Sequence, residues 1–146
     1  MSILQISATV YNDLRAHSEE TYPNECCGAL LGRLTPDGWR VVALIRAINS
    51  STHSAHIRFE IAPAEIIEIV REARGCGLEV AGFYHSHPDH PAEPSPTDLA
   101  EAHWLGCTTV ITEVANGRAA ATNAFLLVGR VEEDKRFEPL SIAIED

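Results

Sequence analysis

The sequence predicts a mixed α/β fold with a single central β-sheet flanked by helices. Two segments, 8–20 and 63–74, carry apolar side chains at helical spacing, whereas apolar runs such as 26–34 and 79–86 have the length of strands. These elements interleave without strict βαβ alternation. No repeat, low-complexity tract or linker divides the 146 residues, so one domain, 1–146, is expected.

The first half of the chain is predicted to contain a capped helix and a hairpin. Ser7 is suited to cap the first helix. A turn signal, Pro36-Asp37-Gly38, separates the strand 26–34 from a second strand at 41–48. Gly28 and Gly32 mark points of close approach to the first of these strands.

The second half is predicted to begin with a helix, with Pro63 as its first residue, that ends near Gly75. A strand at 79–86 and a rigid loop with three prolines, 88–94, follow. The remaining elements are expected to be a helix at 96–105, strands near 107–113 and 120–128, and an extended segment after Gly129.

Composition excludes several classes of function. The formal charge is −10 and the 11 Lys and Arg are scattered, which disfavours nucleic acid or an anionic membrane as a partner. No apolar run approaches the ~20 residues that span a bilayer, and the N-terminus lacks the pattern of a secretory signal. Cys26 and Cys27 are adjacent and the other two cysteines are distant, so reduced thiols in a cytoplasm are expected.

The pattern that carries chemistry is His85-Ser86-His87-Pro88 followed by Ser95-Pro96-Thr97-Asp98. Two histidines at i and i+2 of a strand point to one face, and a carboxylate at the start of the next element can approach them. Three protein ligands with an open fourth position are typical of a catalytic zinc site.

Each part of this pattern also has a plain structural explanation. Ser95, Pro96 and Asp98 have the spacing of a helix capping box, and both interpretations can hold, because a helix start is a rigid mount for a ligand. Ser86 is expected to pack on the opposite face. Without the rest of the pattern, Glu25 would be expected to be a solvent-exposed acidic residue in a loop.

The full set, with Asn24-Glu25-Cys26-Cys27-Gly28 upstream, resembles the JAMM (MPN+) metalloprotease family, and its short stand-alone prokaryotic members most closely. The resemblance implies the MPN/JAMM fold, which is cytidine-deaminase-like. It also implies one Zn²⁺ per chain, bound by His85, His87 and Asp98. Glu25 would be the general base and Ser95 the donor to the oxyanion.

The resemblance further implies hydrolysis of a peptide or isopeptide bond after the C-terminal Gly-Gly of a ubiquitin-like β-grasp protein, typically a sulfur carrier. Two alternatives stay open: a deubiquitinase-like protease of a prokaryotic conjugation or defence system, and a non-catalytic scaffold of the same fold. A zinc deaminase is set aside because its H-x-E and P-C-x-x-C motifs are missing. Homodimerisation is left open.

Other candidate residues are expected to be peripheral. His53, His56 and His90 are predicted on the surface, with lining of a substrate groove as the alternative for His90. Cys26 and Cys27 are expected to be small buried residues near the site, and His103 and Trp104 are expected to have structural roles.

Overall fold

The computed structural model describes residues 2–146. Within this range the strands are β1 (Ile3–Ser7), β2 (Cys27–Thr35), β3 (Gly38–Ala47), β4 (Glu79–Pro88), β5 (Thr108–Ala115), β6 (Arg118–Val128) and β7 (Arg136–Glu145). The helices are α1 (Ala8–Thr21), α2 (Pro63–Gly75) and α3 (Pro96–Glu101), and Glu132–Asp134 form a 3-10 turn. No helix in this part of the chain is long and apolar enough to cross a membrane.

The seven strands form one closed sheet in the order β1-β3-β2-β4-β5-β6-β7, with β7 pairing back onto β1. The mixed α/β class is confirmed, but the expected flanked single sheet is corrected to a barrel. Closure depends on β1, whose Ile6 pairs in parallel with Val41 of β3 and with Ile144 of β7. A strand paired on both sides leaves no free edge there.

The first two helices pack against opposite faces of the sheet. Ser7 caps α1 as predicted, since its Oγ accepts the Val10 amide at 3.2 Å. The buried side of α1 packs against strands around the barrel and shares a core cluster with Leu30 and Tyr84. The neighbours Ala29 and Leu31 belong to a second cluster, with α2. Alternate residues of β2 therefore serve the two faces.

The glycines of β2 lie where other chain segments come very close, as predicted. A Cβ on Gly28 would lie 2.3 Å from Cε1 of Tyr84, and one on Gly32 would lie 2.0 Å from the Arg40 carbonyl oxygen. Both positions therefore exclude a side chain, because such separations are well inside van der Waals contact.

The third helix is shorter than predicted. It ends at Glu101 instead of continuing to residue 105, because Ala102 turns to an extended conformation with φ −84° and ψ 122°. The ammonium group of Lys135 donates to the carbonyl oxygens of Ala100 and Ala102 at 3.2 and 2.8 Å. These carbonyls at the helix end are therefore satisfied by a distant side chain, and residues 102–107 form a loop.

Candidate functional site

The two histidines of the motif lie on β4, which is held between β2 and β5. Cys27 of β2 and Ile111 of β5 pair with His85. As predicted, Ser86 points the other way: it is fully buried, and its Oγ accepts the Cys26 amide at 2.8 Å. His85 and His87 therefore share one face of a strand that is paired on both sides.

Asp98 lies in the first turn of α3 and is oriented by the capping box. The Asp98 amide donates to Oγ of Ser95 at 3.0 Å, and the Ser95 amide donates to Oδ2 of Asp98 at 2.8 Å. That same Oδ2 lies 3.1 Å from Nε2 of His87 and 3.3 Å from Nε2 of His85. Asp98 therefore takes part in the capping box and also lies beside the two histidines.

The three side-chain atoms have the separations of one face of a tetrahedral metal site. The two Nε2 atoms lie 3.2 Å apart, so all three edges of the triangle are between 3.1 and 3.3 Å. Ligands at 2.0–2.1 Å from a tetrahedral zinc ion are separated by about 3.3–3.4 Å. The donor set, two imidazoles and one carboxylate, also suits zinc. The residues therefore fit such an ion without rearrangement.

Burial and hydrogen bonding favour the metal-binding protonation states of His85 and Asp98, but they favour the protonated form of His87. Nδ1 of His87 lies 2.8 Å from the carbonyl oxygen of Pro91, which can only accept, so Nδ1 carries a proton and Nε2 is the nitrogen that faces the metal position. Burial lowers the pKa of His85. Burial favours the neutral form of Asp98, but its hydrogen bonds to His85 and His87 outweigh this and hold its pKa well below the ordinary range. For His87 burial opposes protonation, but the hydrogen bonds to Asp98 and to the Pro91 carbonyl outweigh it and raise the pKa, so a metal would have to displace the proton between Nε2 and Asp98.

Glu25 is buried beside this cluster, not exposed in a loop. It is 3% exposed, and its Oε1 has no hydrogen-bond partner among the described residues. Burial raises the pKa of Glu25 to about 8; the charge of His87 opposes this rise, whereas the charge of Asp98 adds to it. A buried carboxylate with a raised pKa and a free oxygen is suited to exchanging a proton near neutral pH.

A groove of about 410 Å³ begins at His85 and Asp98. Phe59 stacks on His85 with ring centroids 4.5 Å apart, and Phe83 meets Trp104 edge-on at 5.1 Å. The groove is lined largely by apolar side chains with Glu60 and Glu101 among them. A mainly apolar groove with a few polar groups beside the candidate ligands has the character of a ligand-binding site.

Sequence reasoning missed most of this groove. The groove residues Phe59, Phe83 and Trp104 come from three separate segments, and none of them belongs to a sequence motif that predicts function. Trp104 is 38% exposed and lines the groove together with His103, and the structural role expected for these two residues stays a prediction. The one available signal in the sequence was an aromatic side chain that belongs to no helical or strand pattern of apolar residues, as at Trp104.

The remaining candidates lie outside the cluster. His53, His56 and His90 are exposed, and the His90 ring only approaches that of His87 edge-on at 6.1 Å. Cys26 and Cys27 are buried free thiols, and burial raises the pKa of Cys27 to about 12. These thiols are therefore poor nucleophiles and poor metal ligands at neutral pH.

A sequence model of the prokaryotic homologues of the JAB domain matches residues 7–137. The chain belongs to this family. Among curated relatives, a desampylase of Haloferax volcanii is 28% identical over 99% of this chain and 98% of its own length. A probable TtuB-protein conjugate cleaving protease of Thermus thermophilus is 30% identical over 70% of this chain and 65% of its own length.

Solved structures agree with the JAB-family fold. A protein of Salinibacter ruber is 38% identical and superimposes with a TM-score of 0.71, covering 95% of this chain and 91% of its own. A protein of Desulfitobacterium hafniense reaches a TM-score of 0.83 at 24% identity, covering 98% and 93%. At that identity the second likeness concerns the fold alone.

Proposed function

We propose that the chain is a zinc-dependent peptidase or isopeptidase that cleaves after the C-terminal Gly-Gly of a ubiquitin-like β-grasp protein. The observation that carries this proposal is the triangle of ligand atoms from His85, His87 and Asp98 with the buried carboxylate of Glu25 beside it. The curated relatives are named for cleaving protein conjugates or for desampylation, which supports this class of reaction.

The proposed roles follow from the chemistry of the side chains. His85, His87 and Asp98 would hold one zinc ion per chain, which supplies the Lewis acidity that makes water nucleophilic near neutral pH. Glu25 would accept the proton of the attacking water and pass it to the departing amine. The Ser95 hydroxyl accepts the Asp98 amide and keeps its own proton to donate to the oxyanion, an effect worth about 3 kcal/mol.

The groove supports a tail as the substrate element. Its apolar walls suit the extended residues ahead of the scissile bond, which would then lie beside His85 and Asp98, two residues of the groove lining. A folded β-grasp body would remain outside, because a groove of about 410 Å³ holds only a few residues.

Two substrate types remain within this proposal. A sulfur carrier with a C-terminal extension presents a peptide bond, whereas a conjugate presents an isopeptide bond to lysine. The names of the relatives favour the conjugate, because one is named for cleaving TtuB-protein conjugates. A non-catalytic scaffold is disfavoured, since every ligand and the acid at Glu25 are retained. The cytoplasm is the proposed compartment, in keeping with four free cysteines.

The test combines metal analysis with cleavage of two β-grasp substrates, one extended past Gly-Gly by a peptide bond and one linked to lysine. We expect one zinc per chain and cleavage after the second glycine that a chelator abolishes. Glu25→Ala should keep the zinc and lose turnover, whereas Asp98→Ala should lose both. Protein that takes up no zinc would overturn the metal assignment, and full activity of Glu25→Ala would overturn the assigned base.

A further inference from the structure

The long connection between β3 and α2 is organised by one side chain, that of Asn49. This connection spans 15 residues, 48–62, without regular secondary structure. Nδ2 of Asn49 donates to the carbonyl oxygens of Glu25 at 3.1 Å and Arg58 at 3.0 Å. Its Oδ1 accepts the amides of Ser51 at 3.0 Å and Glu60 at 3.1 Å. Both donors and both acceptor positions of the amide are thus in use.

Both backbone polar groups of Glu25 are bonded to this same connection. The Glu25 carbonyl accepts from Asn49, and the Glu25 amide donates to the carbonyl oxygen of Ala55 at 2.7 Å. Glu25 lies two residues before β2 begins at Cys27, so the sheet ladder does not fix its backbone. The position of the Glu25 main chain therefore depends on the 48–62 connection.

Asn49 also holds the peptide on either side of Phe59. The groups it binds are the carbonyl of Arg58 and the amide of Glu60, which flank that residue. Phe59 in turn stacks on the ring of His85 at 4.5 Å. One side chain thus links the main chain of Glu25 to the aromatic ring that covers a metal ligand.

We propose that Asn49 is a positioning residue for Glu25 and Phe59, acting through the backbone of both; this inference rests on the proposed function of the site. The carboxylate of Glu25 has an oxygen without a hydrogen-bond partner among the described residues, so its aim depends on where its main chain is held. The ligands His85, His87 and Asp98 make no hydrogen bond with Asn49 within the described structure. Loss of the Asn49 amide therefore disturbs proton transfer without disturbing metal binding.

The matched variants are Asn49→Ala, Asn49→Asp and Ser50→Ala. Asn49→Asp keeps acceptor oxygens but loses both donors, including the one to Glu25. Ser50→Ala removes a hydrogen bond from the same connection to the Glu60 carbonyl at 3.0 Å and none to Glu25, so it is the control. Each variant is compared with the wild-type chain, fully loaded with zinc.

We expect both Asn49 variants to lose about 10- to 100-fold in kcat, as a misplaced catalytic group does. The zinc Kd, measured by chelator competition, should change less than about twofold, KM should rise because Phe59 lines the groove, and Ser50→Ala should match wild type in all three quantities. Hydrogen exchange should accelerate at the Glu25 and Glu60 amides, while amides of β4 and β5 stay protected.

A kcat of Asn49→Ala and Asn49→Asp within twofold of wild type would overturn the inference. So would exchange that rises equally across β4 and β5, because Asn49 would then only stabilise the fold. If Asn49→Ala does not fold, Asn49→Asp decides by the same readouts. If wild type cleaves neither substrate, the proposed function fails, while slow Glu25 exchange that depends on Asn49 would still establish the link.

Discussion

Replacing Glu25 by Gln is expected to stabilise the metal-free protein by an amount that grows with pH. Burial raises the pKa of Glu25 from its ordinary 4.5 to about 8. Between these values the folded chain keeps a proton that the unfolded chain releases. The stability that this proton contributes is complete below pH 4.5 and is lost as pH rises through about 8. Gln has nearly the same shape and does not titrate.

The size of the effect follows from the same pKa difference. Each unit between the two values costs about 1.4 kcal/mol of unfolding free energy. At pH 7, some two and a half units above the ordinary pKa, the cost reaches about 3 kcal/mol. The unfolding free energy of Glu25→Gln should therefore exceed that of wild type by little at pH 4 and by about 3 kcal/mol at pH 7.

Urea denaturation in a chelator at a series of pH values measures this difference. Glu68→Gln is the control, since the Glu68 side chain is 70% exposed on α2. Zinc provides a second check: a divalent cation at His85, His87 and Asp98 would attract the carboxylate, lower the pKa of Glu25 and flatten the pH dependence. A difference between Glu25→Gln and wild type that stays constant from pH 4 to 8 would refute the reasoning.

Three further predictions concern buried residues of β2, β4 and α1. Gly28→Ala should lower the free energy of unfolding by about 3 kcal/mol, because the added Cβ would lie 2.3 Å from the buried ring of Tyr84. Ser86→Ala should cost about 1–3 kcal/mol in urea denaturation, because it leaves the Cys26 amide without its acceptor, while zinc affinity stays unchanged. Burial, aided by Arg46, lowers the pKa of His17, so wild type should lose stability as pH falls below 6.5, and His17→Gln should lose less.

Each of these has a result that contradicts it. Unchanged stability of Gly28→Ala would mean that the ring of Tyr84 moves aside freely. A weakened zinc Kd in Ser86→Ala would show that its hydroxyl orients the neighbouring ligands as well as the Cys26 amide. Equal pH profiles for His17→Gln and wild type between pH 5 and 7 would mean that His17 titrates alike in the folded and unfolded chain.

The local parts of the site were predictable because their information is local. His85 and His87 are two apart on a strand, and Ser95 and Asp98 have the spacing of a capping box, so short-range geometry orients each pair. The resemblance to a known family predicted that Glu25 belongs to the same site as these two pairs. The burial of Glu25 was not visible, because it depends on how residues 48–62 fold over it.

The non-local parts escaped prediction for an equally physical reason. The closed sheet requires β1 to pair with β7, and nothing in the apolar pattern of either strand names its partner. The carbonyl oxygens at the end of α3 accept from Lys135, which is far along the chain, and no Gly or Pro between Glu101 and Gly106 indicates that the helix ends there. Local sequence patterns do not show which distant segments will form such contacts, so these contacts become known only from the tertiary structure.

The pairing of β1 with β7 also sets an order of events during synthesis. Ile3 and its partner Ser141 are 138 residues apart. At 5–20 residues per second a ribosome needs roughly 7–28 s to supply the second after the first. Meanwhile β2, which follows Glu25, and β4, which carries the histidines, can pair with each other, whereas one edge of β1 stays open to neighbouring chains. A nascent chain would thus pair the strands around the candidate site well before β7 covers the last unpaired edge of β1.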